Sequence, residues 1–309
     1  MENKKTRLIL PNIIYLVLFG GLFAAGTFLD KQIAESLFAF DNTVIKIVTS
    51  VGVYPFFAAF VLFGGALFGR ALRSGLNKPV KIILCVICVA LAAFAGYYGG
   101  KVLADKSGFG NAFPSIIGSI PVIIGISVVS EFPLFFVGFR LSQKSEDKLL
   151  VQRIIGLLAV LVLAYLTMTL IKNAFPRPRY RTVVLGYEGV GFTPWYSPLP
   201  NPGEFVHTYG LSADEFRSFP SGHSILSVSS VYILPSLAWL FPKLKDKQTV
   251  LSFIGLLFGC FIMLTRMMVG AHYLTDVSAG AIIASLLSIV YTIIQLIISS
   301  TGRKKTNAG

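Results

Sequence analysis

Three short stretches hold the residue types that could do chemistry: KNAFPRPRY from Lys172, FPSGHS from Phe219 and TRMMVGAHYLTD from Thr265. In the middle one, Pro220-Ser221-Gly222-His223 lies between a polar, aromatic stretch and a long apolar run. Proline is favoured in a first helical turn, where its missing N–H would have no intrahelical partner. Glycine lets a ligand approach the backbone closely. The N–H groups and the positive dipole end of such a helix attract anions. The stretch therefore reads as an oxyanion cradle with His223 at its lip. By itself, PSGH is equally the start of a membrane helix whose histidine sits at the interface. Its company decides the matter. Lys172, Arg177, Arg179 and Arg181 precede it, Arg266, His272 and Asp276 follow it, and the chain has only three histidines.

His272 and Asp276 are four residues apart, which on a helix places them on one face. A carboxylate beside an imidazole fixes its tautomer and raises its basicity. Arginine suits bidentate recognition of phosphate oxygens, and lysine adds a point charge. No cluster of carboxylates suited to Mg²⁺ or Zn²⁺ lies in the three stretches, so the expected chemistry needs no metal and no other cofactor.

Taken together, the stretches resemble the type 2 phosphatidic acid phosphatase (PAP2) superfamily, with its pattern K-x6-R-P, then P-S-G-H, then S-R-x5-H-x3-D. Lys172 and Arg179 match the first part, with Tyr180 where proline is usual. Pro220, Ser221, Gly222 and His223 match the second in full. Arg266, His272 and Asp276 match the third, with Thr265 in place of serine. The resemblance runs from Lys172 to about Ile298. It implies that His272 is a nucleophile that forms a phosphohistidine, supported by Asp276. It implies that His223 protonates the leaving oxygen and then activates water. Lys172, Arg179, Arg266, Ser221 and the Gly222 N–H would hold the phosphate oxygens. Arg177 and Arg181 either widen a positive funnel or anchor to anionic headgroups. His207 reads as a surface residue.

These residues need a scaffold, and the composition says which kind. Hydrophobic residues make up 54% and charged residues 13% of 309, and mean hydropathy is +0.74. Such values belong to a multispanning membrane protein. The net charge of +13 sits in short loops between apolar runs and around the three stretches, which argues against a nucleic-acid partner. Cys85 and Cys88 have a C-x2-C spacing, but no nearby histidine or second pair accompanies them, so buried apolar packing is expected.

Apolar runs predict about eight transmembrane helices: Leu8–Phe28, Val51–Leu72, Ile82–Leu103, Pro114–Phe139, Leu149–Ile171, Ser221–Leu240 with a kink at Pro235, Val250–Val269 and Tyr273–Ile298. The first run is longer than the apolar core of a signal peptide and reads as an uncleaved helix. Asp30–Asp41 reads as an interfacial connector, and Asp105–Phe113 as a polar turn. The stretch from Lys172 to Phe219 is the one long connector, rich in aromatic residues, and suits a lid or binding loop. Glu131 lies inside the fourth run, where an interhelical hydrogen bond is expected of it. The fold class is thus an all-α polytopic membrane bundle with a PAP2-like core. Residues 1–148 form N-terminal transmembrane helices, and 149–309 form the core, with an extracytoplasmic loop over 172–220.

Even-numbered spans are followed by loops rich in Lys and Arg, which marks that side as cytoplasmic. The three stretches then meet on the opposite face. The expected protein is a cell-membrane lipid phosphatase acting on a lipid phosphate or diphosphate. Undecaprenyl diphosphate, phosphatidylglycerophosphate and phosphatidic acid are the candidate substrates. A phosphotransferase, or a non-catalytic lipid transporter retaining the headgroup site, are the alternatives.

Overall fold

The computed structural model describes residues 2–104 and 109–307. The helices are α1 Glu2–Leu37, α2 Thr43–Val51, α3 Tyr54–Leu72, α4 Lys78–Ala104, α5 Phe109–Ala112, α6 Ile120–Lys144, α7 Leu150–Ala174, α8 Tyr180–Val183, α9 Pro202–Tyr209, α10 Gly222–Val228, α11 Ser230–Ser236, α12 Gln248–Met268 and α13 Leu274–Asn307. Among the described residues there is no strand, only an isolated bridge between Arg177 and Arg217. In lipid, a helix satisfies its backbone polar groups within the segment, which is why apolar runs of this length settle as helices. Side-chain caps mark several starts. Asn42 Oδ1 accepts from Ile45 N and Asn77 Oδ1 from Val80 N, each at 3.1 Å. Pro55 and Pro121 occupy first turns, where the missing donor does no harm.

Among the described residues, seven helical spans are long and apolar enough to cross a membrane, α2 and α3 together making one of them. The expected sixth span differs. It is built from α10, α11 and a 3₁₀ turn over Leu237–Trp239. The break falls at Ser229 rather than at Pro235. The Ser229 hydroxyl donates back to the Ile225 carbonyl at 2.8 Å and accepts from the Tyr232 hydroxyl at 2.8 Å, the kind of back-bonding that bends helices. Two other boundaries also move. The first helix continues through Asp30 to Leu37, so no connector begins at Asp30. The second run is preceded by the separate helix α2. Of the expected polar turn Asp105–Phe113, residues 105–108 lie outside the described residues, and 109–112 form α5.

α1 runs along α13, α3 packs between α4 and α6, and α12 packs against α10 and α11. One apolar core links these groups through Phe19 of α1, Phe56 and Phe63 of α3, Leu157 and Leu161 of α7, Ile225 of α10 and Val277 of α13. The outward faces are apolar as well: Val86, Ile87 and Phe94 on α4, Val128, Val129 and Phe132 on α6, and Leu257 and Phe261 on α12 are all exposed. Such a surface is matched by lipid rather than water. The molecule is an all-α polytopic bundle.

Two smaller expectations resolve differently. Cys88 is buried, Cys85 and Cys260 are half-buried, and all three are free thiols. Glu131 is buried, but neither carboxyl oxygen has a hydrogen-bond partner, so the expected interhelical hydrogen bond does not form. Its neighbours are Gly96 and Gly99 of α4, whose missing side chains make room for it.

Candidate active site

The three stretches meet at one end of the bundle. α7 ends at Ala174 and carries Lys172 in its last turn. α10 begins at Gly222, α12 ends just after Arg266, and α13 begins at Leu274 with Asp276 in its first turn. Lys172, Arg179, Arg266 and His272 are the charged or titratable neighbours that act on His223. Arg179, Arg266 and His272 are buried, whereas Lys172 and His223 are half-buried and stand at the mouth.

His272 precedes α13 instead of lying on it, so the expected shared helical face with Asp276 does not occur. The imidazole is anchored elsewhere. Its Nδ1 lies 2.7 Å from the Ser218 carbonyl oxygen and 3.7 Å from Asp276 Oδ2. A carbonyl only accepts, so Nδ1 carries the proton and Nε2 keeps its lone pair. The tautomer is therefore set by the Ser218 backbone, with Asp276 behind it. Asp276 in turn accepts from the Ser218 hydroxyl at 2.5 Å and from the Tyr273 N–H at 2.8 Å. The latter is the reach-back of a capping box at the start of α13. Burial, the largest influence, pushes the His272 imidazole down to about 3. The Asp276 carboxylate opposes the shift, and the Arg179 and Arg266 charges add to it. The imidazole is therefore neutral across the physiological range.

Arg179 is fixed on three sides. Its Nε donates to the Asp214 carbonyl at 2.8 Å, Nη1 to the Ala271 carbonyl at 3.0 Å and Nη2 to Asp214 Oδ2 at 2.6 Å. Burial alone would raise the Asp214 carboxyl, but Arg179, followed by Lys172, holds it down at about 2. Arg179 has φ −70° and ψ 147°, the extended form that a following proline would impose. The first motif is thus held extended without that proline, by Asp214, Ala271 and the Arg179 N–H to the Glu215 carbonyl at 2.8 Å. Tyr180 instead packs its ring against Phe38 at 5.2 Å.

Pro220 is not at the first helical position. It directly precedes the N-cap, Ser221, and its own peptide bond to Phe219 is cis. The Ser221 hydroxyl accepts from Ser224 N at 3.3 Å, and Ser221 N donates to the Asp276 carbonyl at 2.9 Å. Gly222 and His223 therefore supply the first N–H groups of α10. A Cβ on Gly222 would lie 2.5 Å from the Met168 sulfur and 3.4 Å from Lys172 Cε. The glycine lets the cradle close on the lysine.

Arg177 and Arg181 are neither a funnel nor a headgroup anchor. Arg177 is fully buried, bonded to Asp276 at 2.6 Å, to Asp30 at 2.9 Å and to the Thr275 hydroxyl at 2.9 Å, and its guanidinium lies 4.0 Å from the Tyr273 ring centroid. Arg181 pairs with Glu215 through contacts of 2.5 and 2.9 Å. Thr265, in the serine position of the third motif, bonds the Thr49 hydroxyl at 3.1 Å and so ties α12 to α2. The residues that sequence reasoning missed are Asp30, Asp214 and Ser218. Their signal is weak, because each is a lone polar residue whose partner is remote in the chain.

The long connector is a folded cap rather than a bare loop. Phe216, Val190 and Leu199 form a small core with Phe205 and Tyr209. Trp195 stacks on Phe219 at 5.9 Å and donates to the Thr27 hydroxyl at 3.2 Å, which fastens the cap to α1. His207 lies in the last turn of α9 and is exposed.

Comparison with known proteins agrees with this geometry. Residues 153–298 match the family model described as the PAP2 superfamily. No curated protein and no solved structure matches the chain. The match spans α7 to most of α13 and takes in all three clustered stretches. Residues 153–298 of this membrane-type bundle are a PAP2 superfamily domain.

Proposed function

We propose that the protein is an integral-membrane lipid phosphatase that hydrolyses a lipid phosphate or diphosphate through a phosphohistidine. The observation that carries this reading is the His272 tautomer. Nδ1 is tied to the Ser218 carbonyl, so the Nε2 lone pair is available beside Lys172, Arg179 and Arg266. Nε2 attacks phosphorus and forms an N–P bond as the bond to the leaving oxygen breaks. His223, which the negative charge of the bound phosphate holds protonated, gives its proton to that oxygen. Neutral His223 then takes a proton from water, the hydroxide attacks phosphorus, and the N–P bond breaks to free phosphate and His272. Charge spreads over the equatorial oxygens in both steps, where fixed cations stabilise it most. The loops that follow α3, α6 and the bent α10–α11 segment are rich in Lys and Arg, which supports a cell-membrane setting with the site extracytoplasmic.

The test is release of inorganic phosphate by purified protein from a panel of lipid phosphates and diphosphates in mixed micelles. Wild type should release phosphate from at least one of them, and His272→Ala should lose both turnover and the acid-labile phosphoenzyme. Turnover by His272→Ala at the wild-type rate would overturn the assignment. Transfer to an added alcohol without phosphate release would make the protein a phosphotransferase.

A further inference from the structure

We propose that Asp30, on the first helix and outside the segment that matches the family model, is a positioning residue for the reaction proposed above. This inference rests on that reading of the site. Asp30 is buried in the wall where α1 meets the start of α13, with 5% of its side chain exposed. Its Oδ1 accepts from the Thr275 N–H at 2.9 Å. Its Oδ2 accepts from Arg177 Nη2 at 2.9 Å and from the Thr275 hydroxyl. Arg177 then reaches Asp276 at 2.6 Å, Asp276 holds the Ser218 hydroxyl at 2.5 Å, and the Ser218 carbonyl holds His272 Nδ1 at 2.7 Å. An unbroken chain of short polar contacts thus runs from α1 to the nucleophile.

The charges along that chain explain why an acid is needed at its far end. Arg177 alone would neutralise Asp276 and leave no net negative charge behind His272. Asp30 restores one. As the N–P bond forms, positive charge develops on the imidazole, and a fixed anion in a buried site stabilises it far more than water would. Asp30 also sets the geometry. By capping the Thr275 N–H it fixes the first turn of α13, and through Arg177 it fixes the carboxylate that orients Ser218. Close approach of α1 makes this possible, because a Cβ on Gly26 would lie 2.9 Å from Thr275 N.

A scaffolding role and a charge role separate in the choice of substitution. Asparagine keeps the size of Asp30 and an oxygen for the Thr275 N–H, but lacks the charge. Glutamate keeps the charge and disturbs the fit. The experiment uses the full chain in detergent with a lipid phosphate that wild type hydrolyses. Rates are taken per folded protein, quantified from the monodisperse fraction in detergent. Asp30→Asn should lower kcat at least about tenfold, slow phosphoenzyme formation to match, and leave KM within about threefold. Asp30→Glu should recover part of the loss. The inference fails if Asp30→Asn keeps kcat within about twofold, if the loss appears in KM alone, or if Asp30→Glu, the arm that decides if Asp30→Asn does not fold, is inactive although folded. A wild-type chain that releases no phosphate from any lipid sinks the reading of the site itself, which is a different result.

Discussion

At the residue scale, the decisive feature is a neutral, oriented histidine among cations. The Ser218 carbonyl accepts a hydrogen bond from Nδ1, 2.7 Å away, and burial keeps the ring uncharged. That burial leaves a mark on stability. An unfolded imidazole binds its proton near about pH 6.5, whereas in the fold the value is about 3. Between the two, the unfolded chain holds more protons than the folded one, so stability falls as pH drops from about 6.5 towards 3. His272→Asn removes this contribution. Thermal midpoints measured in detergent between pH 7.5 and 5 should therefore fall less steeply for His272→Asn than for wild type. Parallel curves would mean that His272 is not held neutral by the fold. Three arginines of one type, Arg177, Arg179 and Arg181, take three different roles because their partners differ: Asp30 and Asp276, Asp214, and Glu215.

At the element scale, the site depends on how closely α13 approaches the turn before α10. A Cβ on Gly280 would lie 2.5 Å from the Ser221 carbonyl oxygen and 2.9 Å from Ser224 Cβ. The nearest atom belongs to the backbone, so no rotamer change relieves the clash. Gly280→Ala should push the Ser221–Gly222–His223 turn away from Asp276, breaking the 2.9 Å bond from Ser221 N to the Asp276 carbonyl. An activity loss of at least about tenfold, together with a lower thermal midpoint, is expected. Wild-type kcat/KM for that variant would show that the turn tolerates displacement. Hydropathy located most of the long helices, because an apolar run in lipid has little choice but helix. The motif spacing located Lys172, Arg179, His223, Arg266, His272 and Asp276, because their roles are tied to local sequence. What spacing could not carry was pairing at a distance. Asp30 is 147 residues from Arg177, and Asp214 is 35 from Arg179. The end of α1 was misplaced for a related reason. Asp30 looks like the start of a polar connector until its buried partners on α13 are in view. The bend at Ser229 was missed because Pro235 is the more conspicuous breaker.

At the scale of the whole molecule, the cationic cluster stands at the bundle end, where an apolar flank leads up to it. Tyr165, Met168 and Lys172 are three and four residues apart on α7, with Tyr165 exposed and Met168 half-buried. They share one face of the helix, so the row ends at the lysine. The folded cap covers the site from the other side, with Trp195 between Phe23 and Phe219 at 5.0 and 5.9 Å. A lipid could slide along the row with its acyl chains in the bilayer and its phosphate at Lys172. Such a lipid gains little from the row by leaving water, since each buried CH₂ is worth about 0.8 kcal/mol only when water is the starting point. The gain lies in local concentration and in orientation of the phosphate towards His272. A soluble phosphate ester has neither. A long-chain lipid phosphate in mixed micelles should therefore show kcat/KM well above that of a short, water-soluble analogue at matched bulk concentration. Replacing Tyr165 with serine should narrow the gap by slowing the lipid and not the analogue. If the short analogue is hydrolysed as efficiently, and that substitution changes neither rate, substrate does not enter along α7, and the site works as a general phosphatase that happens to be embedded in a membrane.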